Sequence, residues 1–172
     1  MRSAKIIFIS FFTVFALACN SSGNKEVFAE FDMINTAAPT KNLMTGGQPS
    51  IADLKLLAAG GTKVVVNLRT KGEFNRYDEK SEVEKLGMKY VSIEIAGSDG
   101  ITLEKAKLLD AALNNLEQPA LVHCASSNRV GGLLAYRAFK IQNQPALQAI
   151  AFGKSAGMRS TEKRVRKLLG VK

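Results

Sequence analysis

Three short apolar runs separated by helix-length segments constrain this chain more than any other feature. Lys63-Val64-Val65-Val66-Asn67-Leu68 places three β-branched residues in succession, a composition suited to a strand buried on both faces. Met88 to Ile95 carries Tyr90, Val91, Ile93 and Ile95 as its apolar positions, and Ala120 to His123 restarts the chain after Pro119. A strand, a helix and another strand in repeated order argue for an α/β fold: one three-layer domain with a central, mainly parallel sheet flanked by helices.

The helices follow from spacing and end signals. Ile51 to Ala59 has Ser50 as N-cap and Gly60-Gly61 as its stop. Asp78 to Leu86 is a polar helix ending at Gly87. Thr102 caps a helix through Leu116, whose core face is Leu103, Ala106, Leu109, Leu113 and Leu116. Further helices are predicted for Val130 to about Ile141, Pro145 to Phe152 and Thr161 to Leu169, with an additional strand around Phe28 to Ile34. No internal repeat is visible.

The first residues describe a destination rather than a fold. Arg2 and Lys5 precede an apolar run from Ile6 to Ala18, and Ala16-Leu17-Ala18-Cys19 follows. A basic start, a short apolar stretch and small residues read as an export signal, too short for a comfortable membrane span. Cys19 and the polar Asn20-Ser21-Ser22-Gly23-Asn24 are similar to a bacterial lipoprotein signal, which implies lipidation of Cys19 and attachment on the periplasmic side of a membrane. Ordinary signal cleavage is the alternative. The expected organisation is a signal peptide over 1–18, a flexible tether over 19–27 and one folded domain over 28–172, a length sufficient for one core. With Cys19 lipidated, Cys124 is the only other cysteine of the two in the chain, and no intramolecular disulfide can form.

The formal charge is +9, with 24 Lys and Arg against 15 Asp and Glu. Much of it is local: Lys154, Arg159, Lys163, Arg164, Arg166, Lys167 and Lys172 face only Glu162 in the final stretch. That pattern suits the solvated face of a terminal helix or contact with an anionic membrane surface. No nucleic-acid motif accompanies it, and no nucleic-acid partner is expected.

In open α/β sheets the ligand site lies at the carboxyl ends of the strands. Arg69, Asp99 and Cys124 follow the first, second and third apolar strands in turn. After His123-Cys124, the polar stretch Ala125-Ser126-Ser127-Asn128 leads through Arg129 into a helix. Successive amides and a helix N-terminus favour an anion and a thiolate, and the Arg129 fork can grip two anionic oxygens. The segment thus holds a nucleophile, activating dipoles and an anion clamp. Asp99, between Gly97 and Gly100, suits either a mobile proton donor or an ordinary turn, with Asp78 and Glu73 as weaker substitutes. Arg69 assists anion binding or pins a neighbouring loop.

His123-Cys124 followed by Arg129 resembles the signature of the cysteine-dependent tyrosine and dual-specificity phosphatases. Thr45-Gly46-Gly47-Gln48-Pro49-Ser50, Val65-Val66-Asn67-Leu68-Arg69 and His123-Cys124 through Asn128-Arg129-Val130-Gly131, in this order and spacing, resemble the phosphatase-like domain of the bacterial beta-lactamase-hydrolase-like proteins. The resemblance covers roughly 42–134. It implies that Cys124 attacks phosphorus, that Arg129 and the amides of Ala125, Ser126, Ser127 and Asn128 bind the phosphoryl oxygens, and that Asp99 protonates the leaving group. His123 would orient the loop and favour the thiolate. The partner so implied is a phosphate ester or another small oxyanion-bearing substrate.

Two residues and a spacing keep alternatives open. Four residues separate Cys124 from Arg129, one fewer than in most phosphatases, and this also resembles the rhodanese-like sulfurtransferases. Ser127 stands where both groups usually have Gly, and Val130 where many phosphatases have Ser or Thr. A sulfurtransferase and a non-catalytic anion-binding module of the same fold are therefore carried beside the hydrolase. The thiol mechanism needs no cofactor and no metal, and His123 is the only histidine.

Overall fold

The computed structural model describes residues 30–113 and 117–172. The expected signal peptide, the whole tether with Cys19, the first two residues of the folded domain and the Leu116 core position lie outside these residues. Eleven elements follow in chain order: β1 (Ala37–Thr40), β2 (Leu43–Gly46), α1 (Ile51–Ala59), β3 (Val64–Asn67), α2 (Glu79–Lys85), β4 (Lys89–Ser92), α3 (Leu103–Leu113), β5 (Ala120–His123), α4 (Asn128–Lys140), α5 (Ala146–Ser155) and α6 (Glu162–Leu169).

The sheet has the order β1-β2-β5-β3-β4; β1 runs antiparallel to β2, and the other pairs are parallel. This is the three-layer α/β domain expected. The central strands alternate between two cores, as a period of two requires. Val66 and Val122 face one cluster with Leu109, Leu133 and Leu134. Val65 and Leu121 face the other with Leu54, Leu57 and Val83. Full burial of each such side chain contributes about 1.5–3 kcal/mol.

Helix α1 starts and stops where its end signals indicate. Ser50 Oγ accepts the Asp53 N–H at 3.0 Å, and an Asp53 carboxylate oxygen accepts the Ser50 N–H at 2.8 Å, closing a reciprocal cap. Two expectations fail. Of the strand expected around 28–34, the described residues 30–34 form no strand, and the hairpin β1–β2 takes that edge. Met33 there is buried against α1 while Ile34 is 57% exposed, so the apolar run serves as a packed loop. Leu103 is also not a core residue. It opens α3 at 39% exposure, three positions before Ala106, and that helix turns Ala106, Leu109 and Leu113 inward.

The parallel register aligns the strand ends that matter. Gly46 of β2 and Asn67 of β3 both pair with His123 of β5, and Ser92 of β4 pairs with Asn67. The loops that follow these residues emerge together at one edge.

Candidate active site

Cys124 leaves the end of β5 with its side chain 1% exposed, and its N–H donates to the Gly46 carbonyl at 3.3 Å. Gly47 then presses against the loop beyond. A Cβ there would lie 2.9 Å from the Ala125 carbonyl oxygen and 2.7 Å from Ile34, so only glycine lets the two backbones approach. Gly47 also bridges Ser126, whose carbonyl accepts the Asn35 side-chain amide at 3.1 Å.

Ser127 is the turning point of the loop. Its φ of +65 is left-handed, the conformation that explains a preference for glycine at this position. The serine is held there because its hydroxyl donates to the Ala156 carbonyl at 3.0 Å. A serine ahead of a helix would ordinarily accept amides of the first turn, but Ser127 makes no such cap. The first bond of α4 is from the Gly131 N–H to the Ser127 carbonyl, so the preceding amides of Asn128, Arg129 and Val130 have no intrahelical acceptor. The helix begins two residues earlier than the spacing implied, which puts Arg129 inside its first turn.

The side chain of Asn128 does not face a ligand. Its Oδ1 accepts the Arg159 and Thr161 N–H groups at 2.8 and 3.2 Å, and its Nδ2 donates to Ser160 Oγ at 2.7 Å. The loop is thereby tied to the start of α6. Any contribution of Asn128 to anion binding is left to its backbone.

Arg129 is fixed end-on by Glu73. Its two terminal nitrogens donate to the two carboxylate oxygens at 2.7 and 2.6 Å, and Nη1 also donates to the Ile95 carbonyl at 2.8 Å. Of the five guanidinium N–H groups, these contacts use three. The other two, on Nε and Nη2, form the side edge of the fork and meet no protein oxygen among the described residues. The guanidinium pKa is raised, chiefly by its bonds to Glu73, with burial opposing and the neighbouring Cys124 adding to the effect. Glu73 is held at about 2, first by its hydrogen bonds from Arg129, with burial opposing and Thr70 adding to the effect. An acid that strong carries no proton near neutrality, which removes Glu73 as a substitute proton donor. Asp78 is removed too, because it caps α2 by accepting the Ser81 N–H at 3.1 Å.

Beneath the loop, the three stretches that carry the family resemblance converge on one buried carboxylate, Glu79. Gln48 approaches it at 3.4 Å, Asn67 donates at 2.8 Å, Arg69 forms an ion pair at 2.7 Å, and His123 Nε2 lies 2.8 Å away. The His123 contact is close but lacks hydrogen-bond alignment, and the ring is wholly buried. Burial works to raise the Glu79 carboxyl, but His123 and Arg69 outweigh it and the net direction is down. His123 is thus placed beneath the loop. Arg69 is placed there as well: its guanidinium bonds Glu79 and Asn67 and lies 4.4 Å over the Phe74 ring. These contacts pin the segment around Phe74, the second of the two roles the sequence left open for Arg69. Neither Glu73 nor Glu79 is marked by a local pattern, and Glu73 is 56 residues from its arginine.

Asp99 stands on the loop after β4 with its side chain 91% exposed, 3.7 Å from Arg164 Nε. In this position its carboxylate faces α6. Beside Ala125 a cleft of about 880 Å³ opens, walled by Gln48, Ile51, Phe74, Arg76 and Tyr77. Among the described residues, no group of three or more His, Cys, Asp or Glu is arranged to hold a metal ion, and no helix is long and apolar enough to cross a membrane.

No protein-family model matches the chain. Over 93 residues it is 32% identical to the Beta-lactamase hydrolase-like protein of Agrobacterium fabrum, a match covering 52% of this chain and 21% of that protein. The chain therefore spans about a fifth of that relative's length. A DUF442 phosphatase candidate from Shewanella putrefaciens superposes with a TM-score of 0.63 at 23% identity, covering 80% of this chain and 87% of that one. A phosphatase candidate from Neisseria meningitidis gives 0.63 at 18% identity, over 76% and 96% of the two chains. TpbA of P. aeruginosa gives 0.56 at 22% identity, over 78% and 84%. At these identities the likeness speaks to architecture, and the architecture is the fold of the cysteine-based phosphatases.

Proposed function

We propose that the protein is a cysteine-dependent phosphatase-like hydrolase of phosphate monoesters. The observation that supports this best is the free side edge of Arg129 beside the Cys124 sulfur. Glu73 takes the end of the guanidinium and leaves two parallel N–H groups for two oxygens of a tetrahedral anion. The amides at the uncapped start of α4 add donors and positive potential on the same anion.

In this reading the Cys124 thiolate attacks phosphorus, the bond from phosphorus to the ester oxygen breaks, and the leaving oxygen takes a proton from Asp99. Water then attacks the cysteinyl phosphate, releasing inorganic phosphate and restoring the thiolate. Asp99 must leave Arg164 to serve, and Gly97, at φ +59, supplies the flexible end of its loop. Purified protein without its first residues should hydrolyse p-nitrophenyl phosphate, and Cys124→Ser should abolish that while keeping the fold. Activity unchanged by Cys124→Ser would overturn the mechanism.

The four-residue loop favours the second reading, sulfur transfer through a persulfide on Cys124, whereas Ser127 and the buried, hydroxyl-free Val130 favour a non-catalytic module. Thiocyanate formed from thiosulfate and cyanide, with a persulfide on Cys124, would select sulfur transfer. Phosphate binding without either activity would leave an anion-binding module. Export and lipidation at Cys19 belong to the same proposal, and mass spectrometry of the mature N-terminus tests them: an unmodified Cys19 or another cleavage point excludes the anchor.

A further inference from the structure

The basic residues of the C-terminal stretch are not spread evenly over its surface. Glu162, the acid among them, is already paired with Lys154 at 3.0 Å and Arg166 at 2.9 Å. Lys163, Arg164 and Lys167 instead line a depression of about 260 Å³ with Ser98, Asp99 and Ser160. Lys163 and Lys167 form no ion pair among the described residues, and Arg164 has only the 3.7 Å contact with Asp99. A second depression shares Ser160, Lys163 and Lys167 and adds Arg159, Arg166 and Lys172, with the already paired Glu162 among them.

This surface is joined to the catalytic loop. Asn128 holds Ser160 through its Nδ2, and holds the Arg159 and Thr161 amides through its Oδ1. One wall of the depression is therefore bonded directly to a residue of the anion loop. The lining also includes Asp99, the expected proton donor. A depression with three cations against one carboxylate, fixed to the loop that would hold a phosphoryl group, is shaped for a second anion on the same ligand.

Resting on the phosphatase reading, we propose that the substrate carries two phosphate groups: one is seated over Cys124 and the other is held by Lys163, Arg164 and Lys167. The same chemistry is presented by a soluble bisphosphate and by phospholipid headgroups, and the experiment separates them. Hydrolysis of p-nitrophenyl phosphate is competed with hexyl phosphate, with 1,6-hexanediol bisphosphate and shorter diol bisphosphates, and with phosphatidylglycerol vesicles. The bisphosphate of suitable length should compete about tenfold better than the monophosphate, an effect sized to two or three partly exposed charge contacts. The ratio should fall toward one in the Lys163→Ala/Lys167→Ala double variant, and it should shrink as salt is added.

A bisphosphate that competes no better than the monophosphate at any length overturns the proposal. A preference that survives in the double variant does so as well. Vesicle binding that depends on these lysines, without a bisphosphate preference, overturns it in favour of a membrane contact. If p-nitrophenyl phosphate is not hydrolysed at all, the enzymatic reading fails. Calorimetric binding of the same two soluble probes to Cys124→Ser then decides the second site separately.

Discussion

Replacing Glu73 by Gln separates the positioning of Arg129 from the stability of the domain. The carboxylate accepts from both terminal nitrogens of Arg129, at 2.7 and 2.6 Å. An amide keeps one acceptor and turns the other toward an N–H as a donor, so at least one charge-assisted bond is lost. Such a bond contributes about 1.5–3 kcal/mol. If that loss falls on the bound transition state, kcat/KM drops roughly 10- to 150-fold. The Glu73 side chain is 31% exposed, so its contribution to folding is that of a screened surface pair. That contribution is about 1 kcal/mol or less, or roughly 2–4 °C in Tm.

The assay is p-nitrophenyl phosphate hydrolysis beside a thermal melt. Activity within twofold of wild type would refute the argument, and so would a melting temperature lowered by more than about 10 °C, because the variant would then report unfolding. The pH profile adds a check. Because Glu73 is held at about 2, it is ionised over the working range, and any alkaline limb in the wild-type profile should persist in Glu73→Gln. An alkaline limb that vanishes would make Glu73 the proton donor.

Three further outcomes follow from the same contacts. Glu79→Ala leaves Arg69 and His123 buried without their carboxylate and should destabilise the domain by about 3–5 kcal/mol in urea unfolding. Because the Glu79 carboxyl is depressed in the folded state, its contribution is present above the ordinary carboxylate value and fades as pH falls below it; Glu79→Gln should flatten that acid slope. Burial, and then the charge of Glu79, push the Tyr77 phenol up to about 12, so the fold should lose stability as pH rises from about 10 to 12. Tyr77→Phe should remove that alkaline loss in denaturant melts. Gly157 has φ +93, and a Cβ there would sit 2.5 Å from Ser127 Oγ. Gly157→Ala should therefore cost about 1–3 kcal/mol, part of it recovered in the double variant with Ser127→Gly. Strict additivity of the two changes would contradict the contact.

The parts of the fold legible in advance are those decided locally. Ser50 and Gly60 bound α1 because caps act within one turn, and the valines of β3 suit a buried strand wherever its partners lie. The hairpin of β1 and β2 is written in Ala37-Ala38-Pro39-Thr40 and Leu43-Met44-Thr45-Gly46, stretches poor in β-branched residues. Pairing of β2 with β5, rather than propensity, makes them strands. The site divides in the same way. Cys124, the loop and Arg129 are contiguous, and their chemistry could be argued from spacing. Glu73 and Glu79 are ordinary acids in a polar stretch, and tertiary structure alone brings them to Arg129 and His123. Ser127, which reads as a departure from glycine, is accommodated by a partner 29 residues further on, the Ala156 carbonyl.

The central claim is that Cys124 forms a covalent bond to phosphorus while Arg129 holds the oxygens. Rapid acid quenching of the protein during turnover of an aryl phosphate, followed by mass spectrometry of the peptide containing Cys124, tests it directly. The account predicts a phosphoryl group on Cys124 in the wild type. It also predicts its absence in Cys124→Ser, together with the loss of aryl alcohol release. Turnover with no adduct on Cys124, or undiminished turnover in Cys124→Ser, would contradict it.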